Sequence, residues 1–273
     1  MRITAFLRCL FTAVAIALAT PGIAHSAQAV RLATTTSTDN SGLLGYLLPV
    51  FEERSGIPVH VIAVGTGKAL RIARAGDVDV VMVHARPAEQ RFMANGHGID
   101  RREFMYNDFV IVGPRSDPAG VGETDSIMEA MVRIASSGRF VSRGDDSGTH
   151  KKELALWGMV DRTPGGDWYV ESGLGMGKVL QMASELDAYT MTDRGTWLAY
   201  RGKLALALLL QGDPPLFNPY GIIAVNPKLH PYVNYSGATA LIDWLSSPEG
   251  QKMIAGYSVE GQTLFHPLLL DKE

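Results

Sequence analysis

Val30-Arg31-Leu32-Ala33-Thr34-Thr35-Thr36-Ser37-Thr38-Asp39-Asn40-Ser41-Gly42-Leu43-Leu44 is the stretch on which the fold turns. Val30 to Thr34 reads as a strand, and a helix is expected to begin near Ser41. Between them lie five consecutive hydroxyl residues, Thr34 to Thr38. A helix start leaves backbone N–H groups without acceptors and carries partial positive charge, so it can hold an anion. Ordinary capping is the competing reading, because Ser and Thr favour the N-cap. One cap needs one hydroxyl, and this run offers several more. A second cluster, Ser147-Gly148-Thr149, occupies a similar strand-to-helix junction and follows Arg143. Two such junctions in two halves of one chain point to a cleft that grips an anion.

Working outward, strand and helix patterns alternate, which predicts an α/β fold with a largely parallel sheet. Ser41 to Arg54 reads as a helix with Leu43, Leu44, Leu47, Leu48 and Phe51 on one face, and Pro49 predicts a kink or a late start. Val59 to Val64 reads as a strand, Lys68 to Arg74 as a helix, Val78 to Val83 as a strand and Pro87 to Asn95 as a helix. Phe104 to Pro114 is the next expected strand. The alternation then restarts: helix 127–136, strand 139–142, helix 149–158, strand 168–170, helix 176–186, strand 188–191, helix 194–200. Pro214, Pro215, Asn218 and Pro219 read as a loop, Tyr220 to Val225 as a strand, and 237–245 and 249–257 as closing helices. Ser147 and Ser247-Pro248 are expected helix starts. The resulting expectation is two α/β lobes: residues 30–112 plus 220–273, and residues 113–219. Two crossings, near Val112 and Pro219, would form a two-strand hinge, with the ligand in the crevice at strand C-termini.

The first residues read as a leader outside this fold. Arg2 and Arg8 precede the apolar segment Leu10–Ala19, Pro21-Gly22 breaks it, and Ala27-Gln28-Ala29 fits a cleavage site. Residues 1–29 are therefore expected to be a signal peptide cut near Ala29, giving an exported, periplasmic chain that is not inserted in a membrane. The single cysteine, Cys9, leaves with it, so disulfides, thiol catalysis and thiolate metal sites are excluded from the remainder. The whole chain carries a formal charge of −3, and loss of Arg2 and Arg8 makes it more acidic. That balance argues against nucleic acid or an anionic membrane as a partner.

The candidate ligand groups each have a plain structural alternative. Thr35, Thr36 and Ser37 are donors or a cap. Gly65-Thr66-Gly67 is a close backbone approach to a ligand or a common turn. In Ser142-Arg143-Gly144-Asp145-Asp146-Ser147-Gly148-Thr149-His150, Arg143 can form a bidentate pair with an oxyanion, and Ser147, Gly148 and Thr149 can donate at the next helix start. The same segment admits a hydrolase reading, with Ser147 as nucleophile, His150 as base and Asp145 or Asp146 as orienter, although no G-x-S-x-G elbow is present. Gly175 and Met176 open a further helix, and Thr192 ends a strand. Seven histidines show no H-x-x-x-H spacing, so no cation site and no cofactor are expected. His84 reads as structural, and Trp157, Trp168, Trp197 and Trp244 as packing residues.

Several of these segments occur together in one known family. Thr34–Thr38 with Ser41–Leu44, Val64-Gly65-Thr66-Gly67, Asp79–Ala85, Met105–Pro114 and Ser142–His150 resemble the tungstate-binding receptors of bacterial ABC importers, the TupA-like family. The resemblance runs through most of the chain. It implies a periplasmic binding-protein fold of type II-like architecture. It also implies an inter-lobe site built from Thr36, Ser37, Thr66 and Gly67 on one side and Arg143, Ser147, Gly148, Thr149, Gly175, Met176 and Thr192 on the other. The implied partners are a membrane permease and its ATPase, and the implied state is a monomer without catalysis. Tungstate carries no proton at neutral pH, so a matching pocket holds donors only. Molybdate has nearly the same shape. Phosphate would reward a carboxylate acceptor, for which Asp145 and Asp146 are the candidates.

Overall fold

The structure, a computed structural model, describes residues 28–259 and 261–270. The expected leader lies outside the described residues apart from Gln28 and Ala29. Among the described residues no helix is long and apolar enough to cross a membrane.

The chain forms β1 (Val30–Thr35), α1 (Thr36–Asn40), α2 (Leu43–Ser55), β2 (Val59–Val64), α3 (Thr66–Ala75), β3 (Val80–Val83), α4 (Arg86–Ala94) and β4 (Gly98–Pro114). A second series follows: α5 (Ile127–Ser137), β5 (Phe140–Ser142), α6 (Gly148–Met159), β6 (Tyr169–Glu171), α7 (Met176–Glu185), β7 (Thr190–Asp193), α8 (Arg194–Tyr200) and β8 (Leu206–Leu210). The chain then returns through β9 (Phe217–Val225), α9 (Tyr235–Ser246), α10 (Pro248–Gly256) and three two-residue strands, β10 (Ser258–Val259), β11 (Gln262–Thr263) and β12 (His266–Pro267).

The main sheet runs β12-β4-β9-β3-β1-β2, with β7 and β8 also paired to β4. It is mixed, which corrects the expectation of a largely parallel sheet. β1 is parallel to β2 and β3, whereas β9 is antiparallel to both β3 and β4. The cause is the return of the chain: β9 re-enters the first series after the second is complete and inserts between β3 and β4. β4 joins the two series. Its residues Gly98–Asp108 pair with β9, and its residues Phe109–Pro114 pair with β7 and β8. Partners thus change between Asp108 and Phe109, and Arg194 of α8 clamps Asp108 there through Nε at 2.7 Å.

The largest core cluster runs through both series, joining Leu43, Phe51 and Met82 to Val179, Leu180 and Trp197, and smaller clusters serve each half. α2 buries Leu43, Leu44, Leu47, Leu48 and Phe51 against one face of the sheet, as its apolar spacing predicts. The helix begins at Leu43 and carries Pro49 inside it. The other face is covered through Ala69, Ala73 and Phe92 of α3 and α4. In the second series Trp157, Phe140, Tyr169 and Tyr189 form an aromatic cluster, and Trp157 meets Phe140 edge-on at 5.4 Å.

Asp79, just before β3, ties three elements together. Its Oδ2 accepts from the Arg31 backbone N–H at 2.7 Å, and its Oδ1 accepts from the Asn234 N–H at 2.8 Å and from Arg31 Nη2 at 2.6 Å. The carboxylate is wholly buried. Burial raises its pKa, but the hydrogen bonds from Arg31 and Asn234 together outweigh burial and hold it below the ordinary value.

Candidate functional site

The parallel pairs β1–β2 and β5–β6 explain why the candidate groups converge. Thr35 and Val64 are in register at the ends of β1 and β2, so the starts of α1 and α3 lie side by side. Ser142 and Glu171 are likewise in register at the ends of β5 and β6. The Gly173 N–H donates to the Arg143 carbonyl at 2.8 Å, which brings the Arg143 turn beside the glycine-rich turn leading to α7. Among the helices that start at the carboxyl ends of strands, α1 and α3 are thus brought side by side in the first series, and α6 and α7 in the second.

In the first series, capping and binding are divided between different hydroxyls. Thr35 Oγ1 caps α1, accepting from the Thr38 N–H at 3.2 Å. It also lies 3.0 Å from Ser37 Oγ and 2.6 Å from Thr38 Oγ1. Thr36 and Ser37 are exposed. Thr34 is buried, with its hydroxyl unpartnered, and lies apart from this cluster. α3 follows Gly65, which offers no side-chain cap, so the N–H groups of Thr66 and Gly67 meet no capping side chain.

In the second series, Ser147 caps α6 by accepting from the His150 N–H at 3.3 Å. Gly148 and Thr149 are the first two residues of α6, where helix geometry leaves N–H groups free. Arg143 pairs with Asp145: Nε donates to Oδ2 at 3.1 Å and Nη2 donates to the same oxygen. Asp145 Oδ1 accepts from the Ser147 N–H at 3.1 Å. Burial raises the Asp145 pKa, but the bonds from Ser147 and Arg143 more than reverse it, so Asp145 stays ionised. Asp146 instead turns to solvent and meets Lys151 Nζ at 3.1 Å.

Beneath this turn lies Glu153, which sequence reasoning passed over. Its buried carboxylate accepts from Ser142 Oγ at 2.6 Å, Tyr169 OH at 2.7 Å and Trp157 Nε1 at 2.9 Å. Burial pushes its pKa up, partly offset by those three bonds. Ser142 Oγ in turn accepts from the Gly144 N–H at 3.2 Å. Gly144 has φ +59°, and a Cβ there would stand 2.9 Å from Glu171 Cβ, so the turn requires glycine. Gly175 caps α7 without a side chain, and Met176 buries its side chain in the core, leaving its N–H as the group it can offer. Thr192 is wholly buried, and its hydroxyl donates to the Asp193 carbonyl at 3.2 Å.

The hydrolase geometry does not form. The Ser147 hydroxyl serves the helix cap, and His150 Nδ1 accepts from the Asp146 N–H at 3.1 Å, so no Asp carboxylate orients the ring.

The two series meet across the site. A Cβ on Gly148 would stand 3.8 Å from Cε1 of His84, at the end of β3. Lys152 Nζ donates to the Phe217 carbonyl at 3.2 Å. Four groups at this junction escaped the sequence reading or were read as structural: His84, Asn107, Asn218 and Tyr220. Asn218 Nδ2 lies 2.7 Å from Asn107 Oδ1 and 3.2 Å from His84 Nδ1, and the Tyr220 ring packs on His84 at 4.7 Å. Burial lowers the His84 pKa, with Asn218 and the nearby Asp193 carboxylate acting the other way.

Two α/β units sharing β4, with helix starts facing one another across the junction, define a periplasmic binding-protein fold. Residues 22–249 match the PBP superfamily domain. The chain belongs to that superfamily and, within it, to the TupA-like tungstate-binding proteins. The tungstate-binding protein TupA of Peptoclostridium acidaminophilum is 49% identical over 243 residues, covering 87% of this chain and 85% of that one. The solved tungstate-binding protein TupA of Desulfovibrio alaskensis G20 superposes with a TM-score of 0.86 at 45% identity, covering 89% of this chain and 99% of that one. The structure described as the tungstate ABC transporter from Geobacter sulfurreducens gives a TM-score of 0.73 at 54% identity, covering 84% of this chain and 98% of that one.

Proposed function

We propose that this chain is a periplasmic receptor that captures tungstate between two lobes and hands it, as a monomer and without chemistry, to an ABC permease and its ATPase. The lobes are residues 30–112 with 220–273, and residues 113–219, moving about β4 and β9. Thr35, Thr36, Ser37, Thr66 and Gly67 line one wall. Arg143, Ser147, Gly148, Thr149, Gly175, Met176 and Thr192 line the other. The carrying observation is the chemistry of the groups that converge. They are helix-start N–H groups, neutral hydroxyls and one guanidinium, and the carboxylate of the Arg143 turn, Asp145, has both oxygens engaged by Arg143 and Ser147. A desolvated dianion needs such donors, and a protonated phosphate would have to compete with Arg143 and Ser147 for the Asp145 carboxylate.

Calorimetric titration of the exported chain with tungstate, molybdate, sulfate and phosphate tests this reading. Tungstate should bind, with phosphate much weaker, and the tungstate affinity should stay constant from about pH 6 to 8 because the ligand does not titrate there. Absence of tungstate binding, or a preference for phosphate, would overturn it.

Closure gives a second expected outcome. The donors sit on both lobes, so only the closed state engages them together, and differential affinity is what shifts the population. Small-angle scattering should show a smaller radius of gyration with saturating tungstate than without it. Superimposable profiles would mean that one lobe holds the whole site.

A further inference from the structure

We propose that His84 sets the direction of the hydroxyl protons in the first wall of the site, so that Ser37 presents a donor to the ligand. His84 is thereby a positioning and specificity-determining residue. This rests on the tungstate reading above. The Asn218 amide nitrogen has two hydrogens and two acceptors within reach: Asn107 Oδ1 at 2.7 Å and His84 Nδ1 at 3.2 Å. Asn107 in turn directs its own amide nitrogen to Tyr220 OH at 3.3 Å. With the Asn218 amide nitrogen facing the ring, Nδ1 of His84 accepts, and in the neutral ring the proton resides on Nε2.

Nε2 lies 3.4 Å from Thr35 Oγ1. Thr35 Oγ1 also accepts the Thr38 backbone N–H at 3.2 Å. A hydroxyl oxygen has two lone pairs, and both are now filled. Neither Ser37 Oγ, 3.0 Å away, nor Thr38 Oγ1, 2.6 Å away, can then donate to Thr35. Each can at most receive its single proton. The Ser37 proton is left to point outward, and Ser37 is exposed at the start of α1.

The opposite tautomer reverses the wall. With Nε2 unprotonated the ring no longer donates to Thr35; Thr35 keeps its own proton on Thr38, 2.6 Å away, and the lone pair that opens lets Ser37, 3.0 Å away, turn its proton inward. Its lone pairs would then face the anion. The ring is held in place to make the choice: Tyr220 packs on it, and a Cβ at Gly148 of the opposite lobe would stand 3.8 Å from Cε1. A donor wall favours oxyanions without a proton, such as tungstate, over hydrogen phosphate, whose proton needs an acceptor.

The test uses the exported chain with 15N-labelled histidine, with and without tungstate, together with His84→Gln and His84→Phe. Nitrogen shifts should report His84 as the neutral Nε2–H tautomer. His84→Gln, whose amide nitrogen can occupy the Nε2 position, should bind tungstate within about 3-fold of wild type. His84→Phe, similar in shape but without donors, should weaken tungstate by about 10- to 100-fold, the loss of one hydrogen bond to a charged group. It should also narrow the tungstate-to-phosphate affinity ratio. An Nδ1–H ring, or a Phe variant that keeps both affinity and ratio, overturns the assignment while wild type still binds tungstate. A wild type that binds none of the four anions overturns the receptor reading, and the tautomer in the free chain then decides the proton-direction assignment alone. If His84→Phe does not fold, the tautomer and His84→Gln carry the test.

Discussion

Arg143→Ala is expected to weaken tungstate binding by about 100- to 1000-fold, the range for truncating one partner of a desolvated, hydrogen-bonded charge pair. Arg143 is the sole basic residue between Ser142 and Thr149. Its guanidinium has five N–H donors, and Asp145 engages two of them, one from Nε and one from Nη2. Three remain, including both on Nη1. Asp145 is itself fixed by the Ser147 N–H, so the fork is aimed before the ligand arrives. The beneath-site contacts of Glu153 with Ser142 hold the turn from below. Arg143→Lys keeps the charge but has a single nitrogen, which Asp145 would capture, so it should also lose at least about 10-fold. The thermal midpoint of both variants without ligand should stay near that of wild type, because Arg143 contacts Asp145 at the surface of the turn rather than the core. Wild-type affinity in Arg143→Ala would remove the charged anchor from the proposal.

The helix starts of the proposed second wall were legible because their signals are local. A Ser-Gly-Thr run after a short strand predicts a helix start wherever it occurs, and α6 begins at Gly148 with Ser147 as its cap. The same holds for Gly175 before α7 and for the hydroxyl run, where the helix expected from Ser41 is α2, beginning at Leu43, and the short α1 at Thr36 was not expected. His84, Asn107 and Asn218 gain their meaning from register instead. Asn107 and Asn218 face each other because β4 and β9 pair at those residues. Nothing within a few positions of either residue announces it.

The sheet was less legible for a related reason. β8 is Leu206-Ala207-Leu208-Leu209-Leu210, built largely from good helix formers, and it is a strand because β4 pairs with it. The first residues of β4, Gly98–Glu103, are charged and lack alternation, yet they extend because β9 supplies partners. Pro219 reads as loop but lies within β9, opposite Tyr106. Such strands are dictated by tertiary pairing that a one-dimensional pattern does not contain.

Asp79→Ala separates fold from site. The substitution leaves two buried backbone N–H groups, those of Arg31 and Asn234, without their side-chain acceptor. At about 1–3 kcal/mol for each unsatisfied group, the expected loss is about 3 kcal/mol. Arg31 adds little, because its side chain is 34% exposed and can turn to water. For a chain of this size that corresponds to a fall of roughly 6–12 °C in the thermal midpoint. Asp79→Asn should do little better, since one oxygen becomes an NH2 group facing a donor. The pH dependence follows from the depressed pKa of Asp79. Its contribution is fully present above the unfolded value of about 3.9 and is lost as pH falls through the lower folded value. The gap between wild type and Asp79→Ala should therefore be constant from about pH 5 to 8 and shrink below about pH 4. Asp79 precedes β3, whereas His84 and the site lie past its far end, so the variant should bind tungstate with wild-type affinity and gain the same stabilisation from it. A midpoint within about 2 °C of wild type would mean that the two N–H groups find other acceptors, contrary to the burial of this junction.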